Sequence, residues 1–291
     1  MVLYKTARVE GLSVFYREAG LPHNPTVVLL GGFPTSSHQF RNLLPALEDR
    51  FHLIAPDYPG FGNSQMPDPA HFHYTFDRLS EIIESLLTSL NIRRFGLYMH
   101  DYGGPVGNRI IRRHPGWLEW LIVQNANLYE EGFTSLWDGM RQVLWKNKSP
   151  EIEARLEAFL APETVARIYH HGHPEPALIS PDAWSMDLFF LERPHARRVQ
   201  LDLLYDYRTN VALYPAWQAF LRERRPPTLI VWGQNDLFFT PEGAIAYRRD
   251  LPNAEIHLLD SGHFVLEDHL DEVATQMRRF YQEKVAHVAS L

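Results

Sequence analysis

Phe95-Gly96-Leu97-Tyr98-Met99-His100-Asp101-Tyr102-Gly103-Gly104-Pro105 decides the fold. A short run of strand-forming residues ends in His-Asp, and two glycines then allow a turn too tight for residues carrying a Cβ. The stretch reads as a strand, a sharp corner and a helix, with Asp101 at the corner. A carboxylate held there is a candidate nucleophile: its attack on carbon would form an ester that water must later cleave.

Upstream, Thr26-Val27-Val28-Leu29-Leu30 is an uninterrupted apolar run of the kind found in strands buried on both faces. It ends in Gly31-Gly32-Phe33-Pro34-Thr35-Ser36-Ser37, where Ser36 or Ser37 is expected to cap a helix running to about Leu47. An antiparallel pair, Ala7 to Val9 and Leu12 to Glu18, turned at Glu10-Gly11, precedes it. The next strand is Phe51 to Ala55, followed by a loop dense in turn residues from Pro56 to Ser64. Leu79, Ile82, Ile83, Leu86 and Leu87 then recur at spacings of three and four, marking a helix from Tyr74 to about Leu90. Beyond Asp101 come a helix to about Arg113 and a strand from Trp120 to Val123. Strands alternating with helices predict an α/β fold, with a mostly parallel sheet flanked by helices on both faces. Such sheets place ligands beyond the carboxyl ends of their strands, where Gly31 to Pro34 and Asp101 both fall.

From about Tyr129 to Tyr214 strand signals stop. Helical patterns rich in Trp and Tyr take over, as expected of a helical cap inserted over the sheet. Alternation resumes with a strand at Thr228 to Trp232, a helix from Gly243 to Asp250, a strand at Glu255 to Leu259 and a closing helix from Glu267 to Val285. The expected organisation is a core of residues 1–128 and 215–291 with a cap of residues 129–214.

Composition bounds the function. The chain has 291 residues, 45% of them hydrophobic and 22% charged, which is the ordinary globular balance. A net charge of −7 gives no general affinity for nucleic acid or an anionic membrane. There are no cysteines, so thiol nucleophiles, thiolate metal sites and disulfides are excluded. The first residues lack the pattern of a secretory signal and no apolar run approaches a membrane span, so a cytoplasmic protein is expected. A homodimer is left open.

An ester on Asp101 needs a base to activate water, and the base needs an acid to orient it. After the insertion, Gly233-Gln234-Asn235-Asp236 and Asp260-Ser261-Gly262-His263 each follow a strand, offering Asp236 as acid and His263 as base. The main-chain N–H groups of Phe33 and Tyr102 are the expected oxyanion donors. His170-His171-Gly172-His173 lacks an acidic ligand at helical spacing and precedes Pro174, so it reads as a solvated loop; no metal and no cofactor are expected. Asn125 and Asn127, just past a strand end, read as residues stabilising the turn into the cap, with a hydrogen bond to a substrate or halide as the alternative, and Asp57 as fixing its Pro-Gly loop.

The segments Gly32 to Ser37, Phe40 to Pro45, Asp57 to Ser64 and His100 to Gly104, with Asp236 and His263, resemble the epoxide hydrolase and haloalkane dehalogenase branch of the α/β-hydrolases. The resemblance covers nearly the whole chain outside residues 129–214. It implies that Asp101 attacks carbon, His263 activates water, Asp236 orients His263, and Phe33 and Tyr102 donate main-chain hydrogen bonds. Two positions depart from the pattern. Gly31 stands where these families usually have His, and Met99 stands where the elbow usually has a small residue.

The leaving group separates the members of this branch. Haloalkane dehalogenases hold halide with a Trp after the nucleophile and an Asn or Glu in the first glycine turn; Tyr102 and Phe33 occupy those positions. Haloacetate dehalogenases clamp the substrate carboxylate with arginines where Tyr102 and Pro105 stand. Epoxide hydrolases share the Gly-Phe-Pro turn and protonate the opening oxygen with cap tyrosines. Tyr205 and Tyr207 are the candidates, with Tyr169 and Tyr214 as outsiders; spaced two apart, the pair share a face if extended and diverge if helical, so at most one is expected to be catalytic. The early cap offers Trp137 and Trp145, which can bind halide through N–H but cannot protonate an alkoxide. Epoxide hydrolysis of a small, largely apolar molecule is the leading expectation. A haloalkane or haloacid dehalogenase using a cap Trp follows, and a non-catalytic ligand receptor or a luciferase-like oxygenase on the same scaffold stays open. No Gly-Xaa-Ser-Xaa-Gly occurs, which excludes the usual serine esterase.

Overall fold

The computed structural model describes residues 1–286. Eight strands form one sheet: β1 (Leu3–Val9), β2 (Leu12–Ala19), β3 (Thr26–Leu30), β4 (His52–Pro56), β5 (Phe95–His100), β6 (Leu118–Gln124), β7 (Thr228–Gly233) and β8 (Glu255–Leu259). Their order is β1-β2-β4-β3-β5-β6-β7-β8. The first two strands are antiparallel to each other and to β4, and every pairing from β4 to β8 is parallel. β3, β5 and β7 are buried almost throughout, as expected of a sheet covered on both faces.

The covering helices of the core are α1 (Leu43–Leu47), α2 (Phe76–Ser89) and α3 (Gly103–Arg113). Between β6 and β7 the chain forms α4 (Leu136–Gly139), which continues as a wider π-type turn through Leu144, then α5 (Pro150–Leu156), α6 (Pro162–His170), α7 (Pro181–Leu191) and α8 (Ala196–Arg224). α9 (Pro241–Ala246) and α10 (Leu270–Phe280) complete the core. Among the described residues, no helix is long and apolar enough to cross a membrane.

Two expectations are corrected. The helix expected from Ser36 or Ser37 to Leu47 is two pieces. Ser36 caps only a short 3-10 turn, Ser37–Phe40, and α1 begins at Leu43. Pro45 lacks the N–H that a continuous helix would give to the Arg41 carbonyl, and its ring would crowd that carbonyl. The closing helix likewise starts at Leu270, after a separate 3-10 turn over Val265–Glu267. α8 itself runs unbroken through Tyr214 and Pro215, where the cap is expected to join the core. Buried packing overrides the local break: Tyr207, Tyr214, Trp217 and Leu221 are almost fully enclosed. Arg109 of α3 further ties α8 down, donating to Asn210 Oδ1 at 2.7 Å while its other face meets Asp77 of α2.

Candidate active site

Asp101 follows β5 directly and has φ 49°, a left-handed conformation that lifts its carboxylate out of the strand end. Two glycines make room for this corner. A Cβ on Gly103 would strike the Leu30 carbonyl, and one on Gly32 would strike the Asp101 side chain itself. With Gly32 so close, the Phe33 N–H donates to Asp101 Oδ1 at 2.7 Å, and the Tyr102 main-chain N–H also stabilises the carboxylate. Both expected main-chain donors therefore serve the Asp101 carboxylate.

The two departures noted in the sequence each have a local compensation. The Met99 sulfur lies 2.9 Å from where a Cβ on Gly107 would stand, so the bulk at the elbow fits into a gap in α3. At Gly31, the missing side chain is replaced by the Gln39 amide, which occupies the space a Cβ would need. The Tyr58 hydroxyl donates to the Gly31 carbonyl at 2.9 Å, holding this turn from its other side.

Asp236 and His263, from the turns after β7 and β8, meet at the same end of the sheet. His263 Nδ1 lies 2.8 Å from Asp236 Oδ2. Asp236 is fixed in turn by the Phe238 N–H on Oδ1 and by Asn125 Nδ2 on Oδ2, both at 2.7 Å. Asn125 also accepts the Gly233 N–H at 2.9 Å, so it orients the acid as well as bracing the strand end. Its place just past β6, matching that of Asp236 past β7, was the available sequence signal. Asn127 braces the turn into the cap, as expected, with Nδ2 donating to the Tyr129 carbonyl at 2.8 Å. Asp57 accepts the Ser37 and Asn63 N–H groups at 2.7 and 2.8 Å, fixing its loop.

The His263 carbonyl accepts hydrogen bonds from His100 Nε2 at 3.1 Å and Gln124 Nε2 at 3.2 Å, which seat the base loop on β5 and β6. With Nδ1 committed to Asp236, its Nε2 is buried and has no hydrogen-bond partner among the described residues. Phe238 and Phe264 enclose the ring edge-on, with centroids 5.0 and 5.1 Å away.

Electrostatics follow from this enclosure. Burial pushes the Asp101 carboxyl up to about 6, against the opposing pull of His263 and the main-chain donors. Burial disfavours the His263 cation, but the Asp236 carboxylate and then Asp101 outweigh it, so the imidazole is more basic than usual. The arrangement can hold a carboxylate nucleophile, a neutral base oriented through its far nitrogen, and two main-chain donors for an oxyanion.

Above Asp101 lies a cavity lined by Phe33, Tyr102, Trp137, Met140, Phe159 and Phe238. It is narrow: the centre of a water molecule has about 20 Å³ in which to move. Of the four cap candidates, Trp137 alone lines it, and its Nε1 donates away to the Phe238 carbonyl at 3.0 Å. Trp145 is likewise committed, donating to the Leu204 carbonyl at 3.1 Å. Tyr205 faces a surface pocket, with the Arg208 guanidinium 3.6 Å over its ring. Tyr207 is fully buried, its ring 4.6 Å from that of Trp137 and its hydroxyl 3.4 Å from the Tyr214 hydroxyl. The helical geometry of α8 thus separates the two tyrosines, as their spacing required.

The histidine group is only partly the solvated loop expected: His171 is exposed, but His173 is buried and the segment packs against the turns that carry Asp236 and His263. The side chain of His173 is buried and lies 2.5 Å from Asp268 Oδ2, while Asn235 Nδ2 donates to the Gly172 carbonyl at 2.9 Å. A Cβ on Gly262 would strike the His171 carbonyl. Sequence spacing gave no sign of these partners, which lie more than 60 residues away.

The family model described as "alpha/beta hydrolase fold" matches residues 25–270. The chain belongs to the α/β-hydrolase fold family. An uncharacterised hydrolase of Saccharomyces cerevisiae, YNR064C, is 41% identical over 277 residues, covering 94% of this chain and 95% of its own. A cis-3-alkyl-4-alkyloxetan-2-one decarboxylase of Shewanella oneidensis is 30% identical, covering 88% of this chain and 82% of its own. Two solved structures share the fold. The epoxide hydrolase CorEH matches with a TM-score of 0.79 and 20% identity, covering 97% of this chain and 99% of its own. A loop variant of the haloalkane dehalogenase DbeA from Bradyrhizobium elkanii matches with a TM-score of 0.82 and 21% identity, covering 100% and 99%. This α/β-hydrolase is an enzyme of the hydrolase type with an eight-stranded, mostly parallel sheet and a helical insertion over its carboxyl end.

Proposed function

We propose that this hydrolase opens a small, largely apolar epoxide through a covalent ester on Asp101, cleaved by water that His263 activates and Asp236 orients. The observation that carries the reading is the His263 ring: Nδ1 is held by Asp236, and Nε2 is buried and free within reach of the Asp101 charge. A base so placed suits the hydrolysis of an ester on Asp101, with the Phe33 and Tyr102 N–H groups on its carbonyl oxygen.

The choice of an oxygen leaving group rests on the donors around the cavity. Halide release through a cap Trp needs a free indole N–H, and those of Trp137 and Trp145 are both bonded to carbonyls. Tyr102, in contrast, lines the cavity with Asp101 and carries a hydroxyl that makes no hydrogen bond among the described residues. The apolar cavity wall favours an uncharged substrate.

The test uses His263→Gln, which permits attack but blocks hydrolysis. The variant is incubated with panels of epoxides and of halogenated alkanes and acids, and the protein is weighed intact. An adduct of protein plus whole epoxide, mapped to Asp101, is the expected result. An adduct lacking halide would shift the reading to dehalogenation. Binding of apolar ligands with no adduct and no turnover by the wild type would favour a receptor.

A further inference from the structure

Four tyrosines feel the charge of Asp101, but their hydroxyls differ in what they can offer, and that of Tyr58 is committed to the Gly31 carbonyl. Tyr207 and Tyr214 face each other at 3.4 Å, and the Tyr207 ring is closed in by Trp137 and Trp145, with centroids at 4.6 and 6.3 Å. Tyr102 instead lines the cavity beside the nucleophile. Its side chain is 1% exposed, and its hydroxyl makes no hydrogen bond among the described residues. Phe33 and Phe76 fix the ring, with centroids at 6.0 and 5.0 Å. A buried hydroxyl without a partner is uncommon in a folded protein, because it forfeits hydrogen bonds that water would supply. Here the residue that carries the free donor lines an apolar cavity beside the group that attacks.

We infer that the Tyr102 hydroxyl hydrogen-bonds the ring oxygen of the bound epoxide and protonates it as the ring opens, an assignment that rests on the epoxide reading above. In the first half-reaction Asp101 Oδ forms a bond to an epoxide carbon, that carbon's bond to oxygen breaks, and the departing oxygen takes the Tyr102 proton. The products are a hydroxy-ester and the Tyr102 phenolate. In the second, water adds to the Asp101 carboxyl carbon with His263 as base, and the ester C–O bond breaks. His263 then returns the proton to the leaving alcohol. The Asp101 acid so produced re-protonates Tyr102, and the sum is epoxide plus water giving a diol. Burial and the Asp101 charge both raise the phenol pKa, bringing it nearer that of an alkoxide and keeping Tyr102 protonated until the ring opens.

The experiment follows adduct growth on His263→Gln by intact mass with 1,2-epoxyhexane, alone and combined with Tyr102→Phe or Tyr207→Phe. Tyr102→Phe is expected to slow alkylation by roughly 100-fold. It should leave thermal stability unchanged or higher, since no protein partner is lost. In the His263-intact enzyme, the rate at which a preformed ester is hydrolysed should stay within threefold of wild type. Alkylation of Tyr102→Phe at the parent rate, or a larger slowing by Tyr207→Phe, overturns the inference and leaves the epoxide reading standing. If no epoxide of the panel labels His263→Gln, the reading and the inference fall together.

Discussion

Asn125 Nδ2 donates to Asp236 Oδ2 at 2.7 Å, on the oxygen that also meets His263 Nδ1. Two donors on one oxygen aim the carboxylate, and the second comes from a different strand end. Asn125→Ala removes that donor and also orphans the buried Gly233 N–H, which donates to Asn125 Oδ1. The expected result is a loss of about 1–3 kcal/mol in stability, with kcat falling and KM little changed. Thermal melts and steady-state kinetics on any epoxide found active check both parts.

The pH profile follows from the two titrating groups of the proposed mechanism. Alkylation needs ionised Asp101, whose carboxyl is pushed up to about 6, so this half-reaction should switch on as pH rises through about 6. Ester hydrolysis needs neutral His263, whose pKa lies above its ordinary 6.5, so that half should switch on at higher pH. Between the two values ester should accumulate on Asp101. Quenched-flow mass measurements at pH 6.5 and pH 9 test this, with more adduct expected at the lower pH.

A second buried acid affects stability rather than chemistry. Asp187 of α7 accepts the Tyr169 hydroxyl at 2.6 Å, and burial pushes its pKa up to about 7 from an ordinary 3.8. The folded state therefore binds more protons than the unfolded chain between about 4 and 7, and its contribution is lost as pH rises through about 7. Asp187→Asn should flatten this loss, giving a protein more stable than wild type at pH 8. Urea unfolding at pH 5 and pH 8 measures the difference; an unchanged pH slope would count against it.

Met99 and Gly107 should behave as a coupled pair. Gly107→Ala puts a methyl 2.9 Å from the Met99 sulfur and is expected to cost about 1–3 kcal/mol through overpacking. Met99→Ala in that background relieves the contact with the sulfur but not that with Leu97 Cδ2, also 2.9 Å away, so the double variant should lose less than the sum of the singles. Denaturant melts of the four proteins in the cycle give the coupling directly.

Much of this molecule is readable before folding because the determinants are local. The apolar runs, the Gly103-Gly104 corner and the alternation of strands and helices mark the sheet, and its strand ends bring Asp101, Asp236 and His263 together. What could not be read depends on partners distant in the chain. Nothing near Trp137 or Trp145 announces that their N–H groups will meet the carbonyls of Phe238 and Leu204. The fate of Pro215 is similar: its local signal is a break, and only the burial of Tyr214 and Trp217 carries α8 through it. Met99 looked anomalous because its compensation sits eight residues on, across a strand-to-helix corner.

The tightness of the cavity makes admission a step of its own. With room for roughly one or two waters above Asp101, a six-carbon guest enters only as Trp137, Met140 and their neighbours swing aside. Entry is thus expected to depend on the breathing of the cap, so that kcat/KM, rather than turnover at saturation, follows that motion. Solvent viscosity, which drags on such motions and leaves bond-making alone, would then govern that ratio.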